Sequence, residues 1–316
     1  MTDKIQRILV AIRDPWHIPA AQLRKSAAIA RAWDASLELF HVVEKAASIH
    51  SDDQGSLEQT ALRKLQSIEH SPDFKGLKVQ SRVTREYPAH EVILQRALRS
   101  RADLVVTAPR PRTLGSRLIL RNTDWELIRH CPCHLLLIKS KGTYDKPEIL
   151  TAVDPFHTHA KPVDLDARLL SVGESWARQL SGKQHIFHAF LPLASAVPMP
   201  SGQPMAGWLA PEIEDLHAKQ ITRAFKDLAV GAAIDPARRH LSVGDVGTEM
   251  ERTVKRTNAR IVVMGAIARG ALKRFFIGNT AERLLDSVSS DILIVKPLAT
   301  KARSKSQKNA PRLRAA

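Results

Sequence analysis

The chain has 316 residues, 44% of them hydrophobic, and a formal net charge of +16. That length predicts about two domains with ordinary packed cores, and no apolar run approaches the roughly 18–20 residues of a membrane span. The N-terminal stretch MTDKIQRILVAIRD is too short in its apolar part, and lacks the cleavage site, for a secretory signal.

Only Cys131 and Cys133 carry thiols. Two residues apart in one segment, they do not read as a structural disulfide, which points to a reducing, cytoplasmic setting. Six basic residues (Lys301, Arg303, Lys305, Lys308, Arg312 and Arg314) crowd the tail 299–316, which has no acidic residue. A tail of this kind is expected to be disordered and to touch nucleic acid or an anionic membrane surface only nonspecifically. RNA-binding signatures and aromatic platforms are absent.

Short apolar runs alternate with helical patterns along the chain. Ile8–Ile12 reads as a buried strand. Leu23, Ala27, Ala30 and Trp33 then recur at helical spacing. Leu37–Val43 is a second strand, 56–70 a helix, Leu77–Thr84 a third strand, Glu91–Ser100 a helix and Asp103–Thr107 a fourth strand. Thr123-Asp124-Trp125-Glu126 has the form of a capping box opening a helix that stops near Pro132, and His134–Lys139 is the fifth strand. After a polar linker, Gly142–Lys146, the pattern restarts. Ile149–Val153 is a strand, and Leu165, Leu169, Val172, Trp176 and Leu180 mark a helical face. His185–Leu191, Glu214–Val230, Leu241–Val246, Glu249–Thr257, Ile261–Met264 and Ile292–Val295 continue the alternation. Such order implies parallel sheets covered by helices on both faces.

The ends of the two halves align without gaps at an offset of 157. Over Ala102–Lys139 and Ala259–Lys296, ten of 38 positions are identical, among them Arg112/Arg269, Asn122/Asn279 and Lys139/Lys296. The chain is therefore read as a tandem duplication, with domains at 1–141 and 146–298. The second copy has a Pro- and Gly-punctuated apolar insertion, Phe190–Pro211. A segment this long is either irregular packing or a lid over an apolar ligand.

In the C-terminal copy, an apolar run ends at Met264-Gly265, a basic loop carries Ala268 and Arg269, and Gly278-Asn279-Thr280 opens a helix. A strand that empties into a glycine loop and a helix start suits an anion such as phosphate. Asp154, just past the first strand of this half, lies on the edge where ligands bind and can accept hydrogen bonds. The same residues also fit a structural reading, with both glycines serving turns and Asp154 capping a helix.

These motifs resemble the universal stress protein family, and the whole chain is similar to its tandem E-type members. The nucleotide-binding form of the family has Gly, two residues, Gly, nine residues, then Gly-Ser/Thr. The frame here is Gly265-Ala266-Ile267-Ala268, nine residues, then Gly278-Asn279. The first and third glycines and the spacing are kept; Ala268 replaces the middle glycine and Asn279 the hydroxyl residue. Asp154 matches the family's adenine-contacting aspartate. In the N-terminal half Ala108, Pro111 and Arg121 replace the glycines and Arg13 the aspartate.

The resemblance implies two doubly wound five-stranded parallel sheets facing each other as an intramolecular pseudo-dimer, commonly through their last strands. It also implies a non-enzymatic, ligand-responsive cytoplasmic stress protein. The expected ligand is ATP or a related nucleotide, in the C-terminal half only, or a lipid-like molecule. The competing expectations are a slowly ATP-hydrolysing switch and a nucleic-acid or membrane-surface adaptor acting through the tail. A homodimer is a further assembly consistent with the family.

Other chemistry has little support. Cys-x-Cys, read as two side chains along one strand face, has neither zinc-ligand nor redox-motif spacing. His41 and His188 occupy matching strand positions and read as satisfied core or edge histidines. No nucleophile–base–acid set appears at a recognisable spacing.

Overall fold

The computed structural model describes residues 4–44, 54–109, 122–155, 165–196, 211–265, 267–268, 275–276 and 288–296. The N-terminal half comprises β1 (Arg7–Ile12), α1 (Ala20–Trp33), β2 (Ser36–Val42), α2 (Gln54–Glu69), β3 (Val79–Thr84), α3 (Ala89–Arg99), β4 (Leu104–Thr107), α4 (Asn122–His130) and β5 (His134–Leu137). The C-terminal half repeats the plan with β6 (Glu148–Ala152), α5 (Leu165–Gln179), β7 (Lys183–Phe190), α6 (Leu193–Ala196), α7 (Pro211–Gly231), β8 (Arg239–Val243), α8 (Val246–Thr257) and β9 (Ala259–Gly265). A small β10 (Ile267–Ala268) and β11 (Phe275–Phe276) follow, and β12 (Asp291–Val295) closes the chain's described part.

Each half is a five-stranded parallel sheet, and the two are fused into one ladder of ten strands, β3-β2-β1-β4-β5-β12-β9-β6-β7-β8. The single antiparallel junction is β5 with β12. Leu136 pairs directly with Leu293 there; these two are equivalent at the offset of 157, so a pseudo-two-fold axis passes beside them. The expected pairing through last strands is what the structure shows.

Continuous apolar strands such as β4, β5 and β12 are buried along their whole length, as strands covered on both faces must be. Helices α1 and α5 cover one face across the junction, where Trp33 and Trp176 meet with ring centroids 5.2 Å apart. The core on that side runs through both halves, and so does the one beneath α3, α4 and α8. Close packing of α5 on the sheet depends on Gly173. A Cβ there would lie 2.3 Å from Thr151 Oγ1 and 2.4 Å from Gln184 Nε2.

Several boundaries differ from the sequence reading for identifiable reasons. The strand expected at Leu241–Val246 is Arg239–Val243, because Gly244 takes φ +145° and Asp245 caps α8 by accepting from Thr248 N. The capping box at α4 is not formed: the helix begins at Asn122, and Glu126 turns forward to Arg129 and His130. Cys131 and Cys133 lie in the bend between α4 and β5 and not along a strand, since Pro132 cannot continue the helix.

Charged side chains cross the junction in a reciprocal pattern. Lys139 of the N-terminal half donates to the Val288 carbonyl, and its equivalent Lys296 donates to the Ile128 carbonyl of the opposite half. The equivalents Asp291 and His134 each accept from backbone on the other side: Asp291 Oδ1 from Lys139 N and Ser140 N, both at 2.8 Å, and His134 Nδ1 from Lys296 N at 3.3 Å. The other Asp291 oxygen accepts from Lys25 Nζ and from Tyr144 Oη. Lys25 Nζ also reaches Ser140 O and Oγ, each at 2.7 Å.

Burial pulls Lys296 down to about 8, with the two cysteines opposing the shift. Between about pH 8 and the ordinary lysine value of 10.5 the unfolded chain therefore binds more protons at this site than the folded one. The cost of the buried ammonium is fully present below pH 8 and relieved as pH rises. Relative to Lys296→Met, the wild type should gain on the order of 3 kcal/mol between pH 7.5 and 10.5 in denaturant melts. Parallel profiles of the two proteins would show that the lysine does not titrate in this way.

Candidate ligand crevices of the two halves

In a doubly wound sheet, ligands sit beyond the carboxyl ends of the strands where the strand order reverses. That point falls between β1 and β4 in the first half and between β6 and β9 in the second. Asp154 and Gly265 border the second crevice, from the ends of β6 and β9. Met264, buried, lies one residue before Gly265. The backbone N–H of Asp154 donates to Asp166 Oδ1 at 3.2 Å, in the first turn of α5. Here the strand end is held by the helix's aspartate.

A Cβ at Gly265 would lie 3.0 Å from Leu165 Cδ2. The absence of a side chain at Gly265 gives the start of α5 room to pack against the end of β9. Ala268 lies in β10, which pairs antiparallel with β11, Ala268 opposite Phe275. The stretch that the sequence reads as a basic loop thus contains a short antiparallel strand pair, consistent with the strand preference of Phe275-Phe276. Arg269, Gly278, Asn279 and Thr280 lie outside the described residues, as does most of the Phe190–Pro211 insertion.

The first crevice is organised differently. Arg13 occupies the place of Asp154 and forms an ion pair with Asp124, a fully buried carboxylate in the first turn of α4. The first turn of a helix is where a phosphate would find free N–H groups and the positive end of the dipole. In this half a protein carboxylate already stands there. Beside the pair is a cavity of about 300 Å³, bordered by His41, Glu44, Thr107, Thr123, Ile93 and Leu127.

His41 Nδ1 lies 2.8 Å from the Ile12 carbonyl, and His188 Nδ1 lies 3.0 Å from that of Val153. A carbonyl can only accept, so in both halves Nδ1 carries the proton and Nε2 is the remaining nitrogen. Burial lowers the His41 pKa, and its ring is neutral at pH 7. Both histidines are satisfied at strand ends, as their sequence positions suggested.

One polar row lies at the opposite edge of the second sheet and was not anticipated. Glu148 Oε2 is 2.7 Å from His185 Nε2, His185 Nδ1 is 2.8 Å from His240 Nε2, and His240 Nδ1 is 3.2 Å from Arg256. Arginine can only donate and carboxylate only accept, so one consistent assignment runs Arg256 → His240 → His185 → Glu148 with both rings neutral. Burial, His185 and Arg256 push His240 down to about 4. Among the described residues no group of three or more His, Cys, Asp or Glu is placed to hold a metal ion. No described helix is long and apolar enough to cross a membrane.

Two doubly wound α/β halves, joined edge to edge with one switch-point crevice each, define a duplicated α/β protein. The chain belongs to the universal stress protein family, whose pattern it matches over residues 4–139 and 169–296. It is 26% identical over 226 residues to universal stress protein E of Photorhabdus laumondii, with 70% of each chain covered. Among solved structures, a Pseudomonas aeruginosa PAO1 protein of unknown function superposes with TM-score 0.71 at 22% identity, covering 94% of both chains. A universal stress protein from Archaeoglobus fulgidus DSM 4304 superposes with TM-score 0.63 at 12% identity, covering 91% of this chain and 98% of that one.

Proposed function

We propose that the protein is a non-enzymatic, ligand-responsive stress regulator whose working site is the crevice of the C-terminal half, and that its ligand is a nucleotide such as ATP. The observation that carries this reading is the asymmetry between the halves. In the N-terminal half, Arg13 and Asp124 neutralise each other at the helix start a phosphate would need. In the C-terminal half, Asp154 stands at the switch point instead, with its backbone tied to Asp166. A carboxylate there can accept from a base amine or ribose hydroxyl. Arg269, Gly278, Asn279 and Thr280 complete the site as the phosphate-binding side, with Met264, Gly265 and Ala268 as its floor.

The protein acts in the cytoplasm, and the fused halves make a pseudo-dimer within one chain. Its basic tail contacts nucleic acid only nonspecifically. Titration calorimetry with ATP should give one site per chain, and Asp154→Ala should weaken it at least tenfold. The melting temperature of that variant without ligand should stay close to wild type. No ATP heat in nucleotide-free protein would dismiss the nucleotide. In that case, an apolar metabolite seen by native mass spectrometry would identify the lipid-like ligand instead. ATP turnover that is lost with Asp154→Ala would assign the slow-hydrolysis switch.

A further inference from the structure

Cys131 and Cys133 have no part in the proposed ligand site, yet the fold brings them together. Pro132 stops α4 and bends the chain into β5, placing the two sulfurs 3.8 Å apart. Cys131 is buried in the core shared by both halves, and Cys133 is half-buried. Lys296, crossing from the C-terminal half, holds its Nζ on the Ile128 carbonyl three residues before Cys131. We propose that Cys131 and Cys133 form a thiol switch at the junction of the halves, closed to a disulfide by hydrogen peroxide or a related small hydroperoxide.

The geometry suits closure. A disulfide needs its sulfurs about 2.05 Å apart, so side-chain rotation must bring them together by about 1.8 Å. The electrostatics suit a single shared negative charge. Burial opposes ionisation of Cys131, but hydrogen bonds from Cys133 and the nearby Lys296 ammonium lower its pKa overall. The hydrogen bond to Cys131, burial and the charge on Cys131 raise that of Cys133. A thiolate on Cys131 is thus stabilised by the hydrogen bond from Cys133, with Lys296 as the cation facing the pair. Asp103 is the other charged group acting on Cys133, and it disfavours charge there.

The chemistry balances. Cys133 passes its proton back and forth to Cys131 across the hydrogen bond and, as the sulfur nearer solvent, attacks peroxide as thiolate. An S–O bond forms, the O–O bond breaks and hydroxide leaves; hydroxide takes the proton from Cys131 to give water. The Cys131 thiolate then attacks the sulfenic sulfur of Cys133, the S–S bond forms and hydroxide departs. One singly charged dithiol and one hydrogen peroxide give one disulfide, one water and one hydroxide. Sulfur loses two electrons and peroxide gains them.

The test uses reduced full-length protein and hydrogen peroxide, followed by denaturing alkylation and intact mass measurement. Untreated protein should take two alkyl groups. Treated protein should take none and weigh about 2 Da less than the reduced chain, with dithiothreitol restoring both thiols. Cys131→Ser should instead leave a sulfenic acid on Cys133 that dimedone labels. For Lys296 as a positioning residue, Lys296→Met should slow closure several-fold at pH 7 and shift its pH profile upward, while Lys296→Arg should restore the profile. Two alkylatable thiols remaining after peroxide, oxygen additions without the loss of 2 Da, or disulfide-linked dimers would each overturn the switch. An unchanged pH profile in Lys296→Met would remove the lysine's role in it.

Discussion

Asp291→Ala is expected to cost about 3–5 kcal/mol, the range for breaking a buried ion pair by removing one partner. The reason is the number of groups that lose their acceptor together. Lys25 Nζ, Tyr144 Oη and the N–H groups of Lys139 and Ser140 all donate to this one carboxylate, which is wholly buried. Desolvation lowers the Lys25 pKa, and burial raises that of Tyr144, with the Asp291 charge adding to it. A buried pair can often be replaced by apolar residues with little loss, but that route is closed here. Lys25→Met with Asp291→Leu would still orphan two backbone N–H groups at the end of β5. The double variant should therefore recover only part of the loss, and Asp291→Asn should be milder than either. Chemical denaturation of the four proteins checks the order; a double variant as stable as wild type would refute it.

Gly182→Ala is expected to destabilise by about 3 kcal/mol, at the top of the usual range for overpacking. A Cβ there would stand 2.1 Å from the Pro147 carbonyl oxygen, with other backbone atoms of Pro147 also within 3.0 Å. Backbone cannot rotate out of the way as a side-chain tip can. The effect is local to this half. The helix α1 ends in the same way, with Asp34 at φ 50° as Ser181 is at φ 55°. The residue that follows Asp34 is Ala35, buried, and the next, Ser36, donates its N–H to the Gln6 carbonyl as Lys183 does to that of Pro147. Ser181 already supplies the left-handed conformation that usually calls for glycine at a helix end, so Gly182 is needed for space. Thermal melts of Gly182→Ala and Ala35→Gly should show a large loss for the first and a small one for the second. Equal small losses would mean that the Pro147 turn yields.

Strand runs and the repeat made the fold legible from the residues. Val105/Val262 and Lys139/Lys296 fall in equivalent places because period and spacing report burial directly. The junction was less legible. Lys25 lies on the buried face of α1, between Gln22 and Ile29, and a lysine there signals a partner without saying which. That partner, Asp291, is 266 residues away in sequence, and only pairing of the last strands brings the two together. Gly265 shows a different difficulty. Its glycine was visible, but whether the space serves a ligand or Leu165 depends on the helix packed opposite. Asp124 was visible as a helix-start residue, and Arg13 as the odd residue at the ligand edge. That the two neutralise each other follows from the neighbouring positions of β1 and α4.

Among the described residues, fusing the halves through β5 and β12 leaves the ladder open only at β3 and β8, its two ends. With nine spacings of about 4.8 Å those ends lie roughly 43 Å apart, too far for one to shield the other. Open strand edges invite copies of a chain to add on and extend the sheet. Both edges carry positive charge: Lys78, Arg82 and Arg85 in or beside β3, and Arg238 and Arg239 at the start of β8. Two copies meeting along like edges would bring these cations together. Part of the chain's basic excess thus lies at the two places where duplication gave the ladder no neighbour, where like charge disfavours sheet growth.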